Sequence, residues 1–402
     1  MKRYWLAPIL LAALAGSASA AAAEKSYGPG VTDTEIKLGQ TIAYSGPASS
    51  FGVVGRVFSA YVKKLNDDGG INGRKVTLIS LDDGYSPPKT VEQTRRLVEQ
   101  EHVLAITGSL GTPTNASVQR YLNERKVPQL FIFTGTSRFR DPANAPWTMG
   151  VDLAYRDEAR VFADYILKVA PNAKIAELYQ NDDYGKDQVA GLRAALGGRA
   201  ERMIVKSESY EVTDATVESQ IVSLQASGAD VLVATTTPKF TAQMIRKAYD
   251  IGWKPLIFIP FPASSIPLVL RPAGLEKSVG VMTAAFVKFP GDPVWKDDAE
   301  MKDYLAFMAK YDPSDNPDDF LAIAGYYGAA ATAYVLRQCG DRLTRDNVMY
   351  QATHMAGVRI PMLLPGIVFM TAPDDYNPVK QMQLQRFDGS RWTPVGEIVG
   401  GR

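Results

Sequence analysis

Cysteine, histidine and net charge are all scarce in this chain. A single cysteine, Cys339, leaves no partner for an internal disulfide and excludes a structural zinc site built on several thiolates. The two histidines, His102 and His354, lie far apart without metal-ligand spacing, which argues against metal and Ser-His-Asp chemistry. Lys and Arg number 44 and Asp and Glu 43, so no basic excess exists to condense on nucleic acid or an anionic membrane. Beyond the first residues no stretch approaches the roughly 18 apolar residues of a membrane span.

What is present is an ordinary globular balance, 46% apolar and 22% charged. At roughly 150 residues per domain, 402 residues correspond to two or three domains. The chain opens on Lys2 and Arg3, an apolar run over residues 5–15 that is too short for a bilayer span, and the small residues Ala18-Ser19-Ala20. This predicts a secretory signal over residues 1–20, cleaved after Ala20. The mature chain is then expected to be soluble in a bacterial periplasm, where a large core folds without disulfides. No cysteine stands at the cleavage point, so no lipid anchor is expected there.

Strand and helix signals alternate after that. Residues 36–42, 76–81, 103–107 and 129–133 read as strands. Between the first two, Val54, Val57, Phe58, Tyr61, Val62 and Leu65 fall on one helical stripe, which Gly69 and Gly70 end. A second set of strands covers 175–179, 203–210, 230–234, 256–260 and 279–286, with helices over 155–169, 187–196, 217–226 and 241–251. Three helices follow at 297–311, 321–337 and 344–353, and a hairpin turns at Asp388-Gly389. Continuously apolar strands with intervening helices imply an α/β fold: two doubly wound lobes with parallel sheets and a cleft between them.

In such sheets ligands sit at the carboxyl ends of the strands. Four polar loops fall there, at residues 44–52, 108–114, 134–137 and 182–185. The second and third combine glycines, hydroxyls and a helix start, which suits one carboxylate. Neither carries a Walker lysine or G-x-G-x-x-G, so no nucleotide is indicated. Phe51 and Tyr184 sit in loop positions where a core role is less natural, and Tyr326 or Tyr327 is placed to face the cleft. The Asp67-Asp68, Asp82-Asp83, Asp182-Asp183 and Asp374-Asp375 pairs read as turn acids. No elbow serine or metalloprotease helix occurs.

Several segments carry a family resemblance: Ile36-Lys37-Leu38-Gly39-Gln40 with Tyr44-Ser45-Gly46-Pro47, Asn66-Asp67-Asp68-Gly69-Gly70-Ile71-Asn72-Gly73-Arg74, Asp183-Tyr184-Gly185, and Leu364-Pro365-Gly366 through Phe387-Asp388-Gly389. By these the chain resembles the periplasmic leucine/isoleucine/valine-binding proteins, type I solute receptors of hydrophobic amino-acid ABC importers. The resemblance implies two lobes joined by three hinge crossovers. Lobe one would hold residues 24–151 and 287–365, and lobe two 152–286 and 366–402. It implies a monomer without cofactor, metal or catalysis, closing on a small-molecule ligand and docking on a membrane permease. Matched to the family's site, Thr112 and the backbone of Ser137 would take the ligand carboxylate. The Gly135 carbonyl and Ser137 hydroxyl would meet its ammonium. Phe51, Leu110, Tyr184 and Tyr327 would line the pocket, with Gly111 and Thr136 beside them.

One departure bears on the ligand. Family amino-acid receptors place a glutamate against the ammonium in the loop after the strand at 256–260. Here that loop reads Phe261-Pro262-Ala263-Ser264-Ser265, without an acid. A buried ammonium without a carboxylate partner is costly. Either Asp152, Asp182 or Asp183 takes the role, or the ligand is an amine-free aromatic or aliphatic carboxylate, or an amide. The first expectation is a branched-chain or other hydrophobic amino acid. A rival of another class is a ligand-sensing partner of a membrane sensor.

Overall fold

The computed structural model describes residues 25–400; the signal expected over residues 1–20 lies outside them. The first sheet contains β2 (Glu35–Ile42), β3 (Lys75–Asp82), β4 (Ala105–Thr107), β5 (Gln129–Ile132) and β6 (Thr148–Gly150), with β1 (Ser26–Tyr27) apart from it. The second contains β7 (Ile175–Gln180), β8 (Ile204–Tyr210), β9 (Val231–Thr235), β10 (Leu256–Phe258) and β11 (Met282–Ala285). It is completed by β13 (Gln381–Phe387) and β14 (Trp392–Gly400), while β12 (Arg342–Leu343) pairs with β1. The orders are β3-β2-β4-β5-β6, all parallel, and β14-β13-β11-β10-β9-β7-β8, in which only the last hairpin runs antiparallel. Every residue of β9 is buried, as expected of a parallel strand covered on both faces.

Helices α1 (Gly52–Asp67), α2 (Pro87–Arg95) and α3 (Thr112–Glu124) flank the first sheet. Helices α4 (Tyr155–Val169), α5 (Asp183–Leu196), the short α6 (Ala200–Met203), α7 (Glu218–Ala226), α8 (Pro238–Asp250) and the single turn α9 (Arg271–Ala273) flank the second. The chain then returns: α10 (Ala299–Tyr311) and α11 (Phe320–Gln338) pack on α1, and α12 (Arg345–Ala352) packs on α11. The close fit of α11 depends on glycine. A Cβ at Gly325 would lie 2.5 Å from the Val54 carbonyl oxygen, and one at Gly328 would lie 2.5 Å from the Phe133 ring. The helix expected to start at residue 187 starts at Asp183 instead. The Asp182 carboxylate caps it, accepting from the backbone N–H of Tyr184 at 2.9 Å.

Three chain passes therefore join the lobes, after β6, after β11 and after α12. The second and third run antiparallel where Val287 bridges Leu363. Lys288 anchors both passes to the start of α10. Its ammonium is buried, 2.7 Å from Asp298 Oδ1 and 2.9 Å from Glu300 Oε2, over the Trp295 ring. Its backbone N–H donates to the Met362 carbonyl at 2.8 Å. Lys288→Met is expected to destabilise the fold by about 2–3 kcal/mol, because two half-buried carboxylates lose their shared cation. Urea unfolding checks this, and a loss under ~0.5 kcal/mol would remove the node from the hinge.

Candidate functional site

The two sheets point their carboxyl ends at one another, and a small cavity of about 40 Å³ lies between them. Lobe one lines it from four strand ends and one helix. Phe51 and Val54 follow β2, Tyr85 follows β3, Leu110, Gly111 and Thr112 follow β4, and Phe133 follows β5; α11 adds Phe320, Leu321 and Ala324. Lobe two contributes Asp152 and Tyr155 from the first pass and the start of α4, Tyr184 from α5, and Thr237 and Pro262 from loops. The walls are thus largely apolar, with aromatic rings from both lobes. Tyr155 and Tyr184 pack with ring centroids 5.0 Å apart, and the Tyr184 hydroxyl donates to the Thr236 carbonyl. Tyr85 holds a left-handed backbone (φ 60°), and its ring lies against Gly111, where a Cβ would come within 2.6 Å of it.

Two polar poles face this space. At one, Thr112 opens α3. Its hydroxyl is 2.6 Å from that of Thr134 and 3.1 Å from that of Thr136, and the Tyr155 phenol adjoins the cluster. The positive end of the α3 dipole points the same way. At the other, Asp152 is the only charged side chain in the lining among the described residues. The Tyr327 hydroxyl donates to its Oδ1 at 2.6 Å. Burial pushes its carboxyl up to about 6, against the opposing pull of Tyr327 and the Arg140 guanidinium. Arg140 is itself directed elsewhere, donating to the Asp152 backbone carbonyl, the Gly135 carbonyl and Asn377.

Of the residues singled out in the sequence, Phe51, Leu110, Gly111, Thr112 and Tyr184 come together in the lining. Phe51 and Tyr184 are buried: Phe51 ends the turn before α1 and belongs to the core, and Tyr184 lies in the first turn of α5 against Tyr155. Thr136 stands behind Thr112, and Tyr327 is fully buried behind Asp152. Gly135 and Ser137 are not in the lining. The Gly135 carbonyl accepts from the Tyr155 N–H at 3.0 Å, and the Ser137 N–H and O–H donate to Asp187 at 2.9 and 2.7 Å. Of the three candidate acids, Asp182 caps α5 and Asp183 pairs with Arg138, which leaves Asp152. Tyr85, Phe133, Tyr155, Thr237 and Phe320 were not anticipated. Only Phe320 has a signal in the sequence, as the apolar residue just before the helix expected at 321–337, which in the structure starts at Phe320.

Beneath the floor lies Glu158, one turn after Tyr155 and wholly buried. Its Oε1 accepts from the Phe261 N–H at 2.8 Å and its Oε2 from the Gln188 amide at 3.0 Å. No cation reaches it among the described residues, and burial pushes its carboxyl up to about 8. The Gln188 Oε1 is buried without a partner.

Two α/β lobes joined by three passes thus line one pocket from facing strand ends, the place where open α/β sheets bind ligands. A family model described as "Periplasmic binding protein" matches residues 35–391, and the chain belongs to that family. The "Leu/Ile/Val-binding protein homolog 7" of Brucella suis biovar 1 is 26% identical over 270 residues, covering 63% of this chain and 62% of the relative. The match thus spans about three fifths of that relative's length. An "Amino acid binding protein" of Pseudomonas aeruginosa is 26% identical over 203 residues, covering 49% of this chain and 53% of its own.

Solved structures share the fold. A branched-chain amino acid ABC transporter structure from Thermus thermophilus with bound valine superposes with a TM-score of 0.83 at 17% identity, covering 92% of this chain and 98% of that one. A fatty acid ABC transporter substrate-binding protein from Thermomonospora curvata gives 0.76 at 22% identity, covering 94% and 95%. No helix among the described residues is long and apolar enough to cross a membrane.

Proposed function

We propose that this chain is the periplasmic solute receptor of an ABC importer and captures a small hydrophobic amino acid by closing its lobes, without catalysis. The observation that carries this reading is Asp152, the one charged residue of the lining among the described residues. A buried carboxylate to which no cation among the described residues donates favours a ligand that brings its own. The ligand ammonium then meets Asp152 and its carboxylate meets Thr112 and the start of α3. Its side chain lies among Phe51, Leu110, Tyr85 and Phe133. The closed form docks on a membrane permease, and the receptor acts as a monomer. The test is a thermal-shift screen of refolded, ligand-free protein against aliphatic amino acids, aromatic acids, short dicarboxylates and amides. A ligand at about 100 times its Kd adds about 2.7 kcal/mol of stability. A shift with leucine or valine supports the reading, and shifts confined to amine-free compounds overturn it.

A second reading, capture of an amine-free carboxylate or an amide, is favoured by two residues outside the lining. The Gly135 carbonyl and the Ser137 donors already hold protein partners. With its carboxyl held near 6, a protonated Asp152 would donate to a ligand oxygen. For an amino acid or an amine-free acid alike, the ligand carboxylate falls at Thr112. Thr112→Val is expected to weaken a carboxylate ligand by about 1.5–3 kcal/mol, the usual worth of a hydrogen bond to a charged group. Titration calorimetry with the compound found in the screen checks this, and unchanged affinity would take Thr112 out of the site.

A further inference from the structure

Asp187 is a buried carboxylate of α5 that the pocket does not use. It reaches across the cleft to the first turn after Thr136. Its Oδ2 accepts from the Ser137 backbone N–H at 2.9 Å, and its Oδ1 accepts from the Ser137 hydroxyl at 2.7 Å. Within its own lobe, Arg156 Nε donates to Oδ1 at 2.8 Å, orienting the carboxylate and balancing its charge. One turn earlier on the same face of α5, Asp183 accepts from Arg138 at 2.5 Å. Arg138 is in turn steadied by Gln119 of α3, through its Nε and its carbonyl. These contacts join residues 137–138 of lobe one to α5 of lobe two, and none of them touches the cavity.

From this geometry we infer that Asp187 is the positioning residue of a ligand-independent clasp, which holds lobe two against lobe one with a carboxylate of the protein's own. Ser137 supplies two donors to one carboxylate, so this contact is the strong part of the clasp. Both partners of the Arg138–Asp183 pair are substantially exposed, at 43% and 52%, so it adds little and salt screens it. Tyr184, between the two acids on α5, is carried to the pocket wall when the clasp engages. Ligand-binding energy then need not supply all of the closure. The fraction of the empty receptor already closed sets how much apparent affinity is retained.

The proposal rests on lobe closure but not on which ligand is captured, and its test uses the ligand-free protein. Spin labels on Arg120→Cys and Glu201→Cys, whose parent side chains are 91% and 94% exposed on opposite lobes, report the interlobe distance. Cys339 stays unlabelled, being buried with its thiol pushed up to about 12. Asp187→Ala is expected to raise the ratio of long to short distances about ten- to hundredfold, and Ser137→Ala about tenfold. The double variant should open no further than Asp187→Ala alone. Ser137→Ala removes one oxygen from a half-buried turn, so it reports even if the Asp187 variant fails to fold. Distance distributions that match the parent in both variants would overturn the clasp. Opening supports it whatever the thermal-shift screen returns, so the two proposals fail separately.

Discussion

Glu158→Gln is expected to stabilise the protein increasingly as pH rises from 4 to 8, by about 3–5 kcal/mol at the top of that range. The carboxyl is ordinarily near 4.5, and burial holds it at about 8 in the fold. Between those values the folded chain keeps a proton that the unfolded chain has released. Stability is therefore lost as pH rises through the window, and is unaffected by this group below it. Glutamine removes the titration while keeping an acceptor for the Phe261 N–H. Its amide also offers a donor to the unpartnered Gln188 Oε1, once that side chain turns over. Urea midpoints of parent and variant measured at pH 4, 6 and 8 decide the matter. Parallel curves would show that Glu158 is already neutralised by something else.

Asp152→Asn is expected to weaken an amine-bearing ligand by about 2–3 kcal/mol, roughly 30- to 150-fold in Kd. The charge that would meet the ammonium is lost, while Tyr327 keeps an acceptor. The same substitution should leave an amine-free carboxylate within about threefold of its parent affinity, or tighten it, because a like charge has gone. The pH dependence carries opposite signs for the two ligand classes. Raising pH through about 6 ionises Asp152, strengthening capture of an amine and weakening capture of an amine-free acid. Calorimetry with leucine at pH 5 and 8 separates the cases. Leucine affinity that is flat across that range in the parent and unchanged in the variant would remove Asp152 from the site.

The fold was largely legible in the chain because its signals are local. Apolar runs such as residues 231–235 mark strands buried on both faces, and the stripe from Val54 to Leu65 marks a helix on a sheet. Helix starts were less legible: the Asp182 cap looked like a turn acid, and α5 gained a turn. In the site, the strand-end loops gave Phe51, Leu110, Gly111 and Thr112, because the carboxyl ends of parallel strands must face the cleft. Tyr85 escaped because its inward ring goes with a left-handed backbone and lies against Gly111, features that no short stretch of sequence signals. Tyr155 and Glu158 looked like ordinary first-turn helix residues. Their burial comes from the Phe261 loop and the opposite lobe, which no short window of sequence reports. The contact that Ser137 makes was hidden for the same reason: its partner, Asp187, lies 50 positions on and in the other lobe.

The interleaving of the two lobes also dictates an order of events during synthesis. The first sheet is complete by Gly150, yet the helix that seals it, α11, begins at Phe320. Arg74 and Leu104 wait still longer, for Asp341 and Arg345. The second sheet closes only when residues 381–400 lie against β11. Neither lobe can bury its apolar face while most of the chain is still to come, and each long closure carries an entropic cost that only late contacts offset. A polypeptide built this way stays loosely structured until nearly all of it has been delivered. Any fragment that lacks the late segments keeps apolar surface uncovered, which exposes it to aggregation and proteolysis.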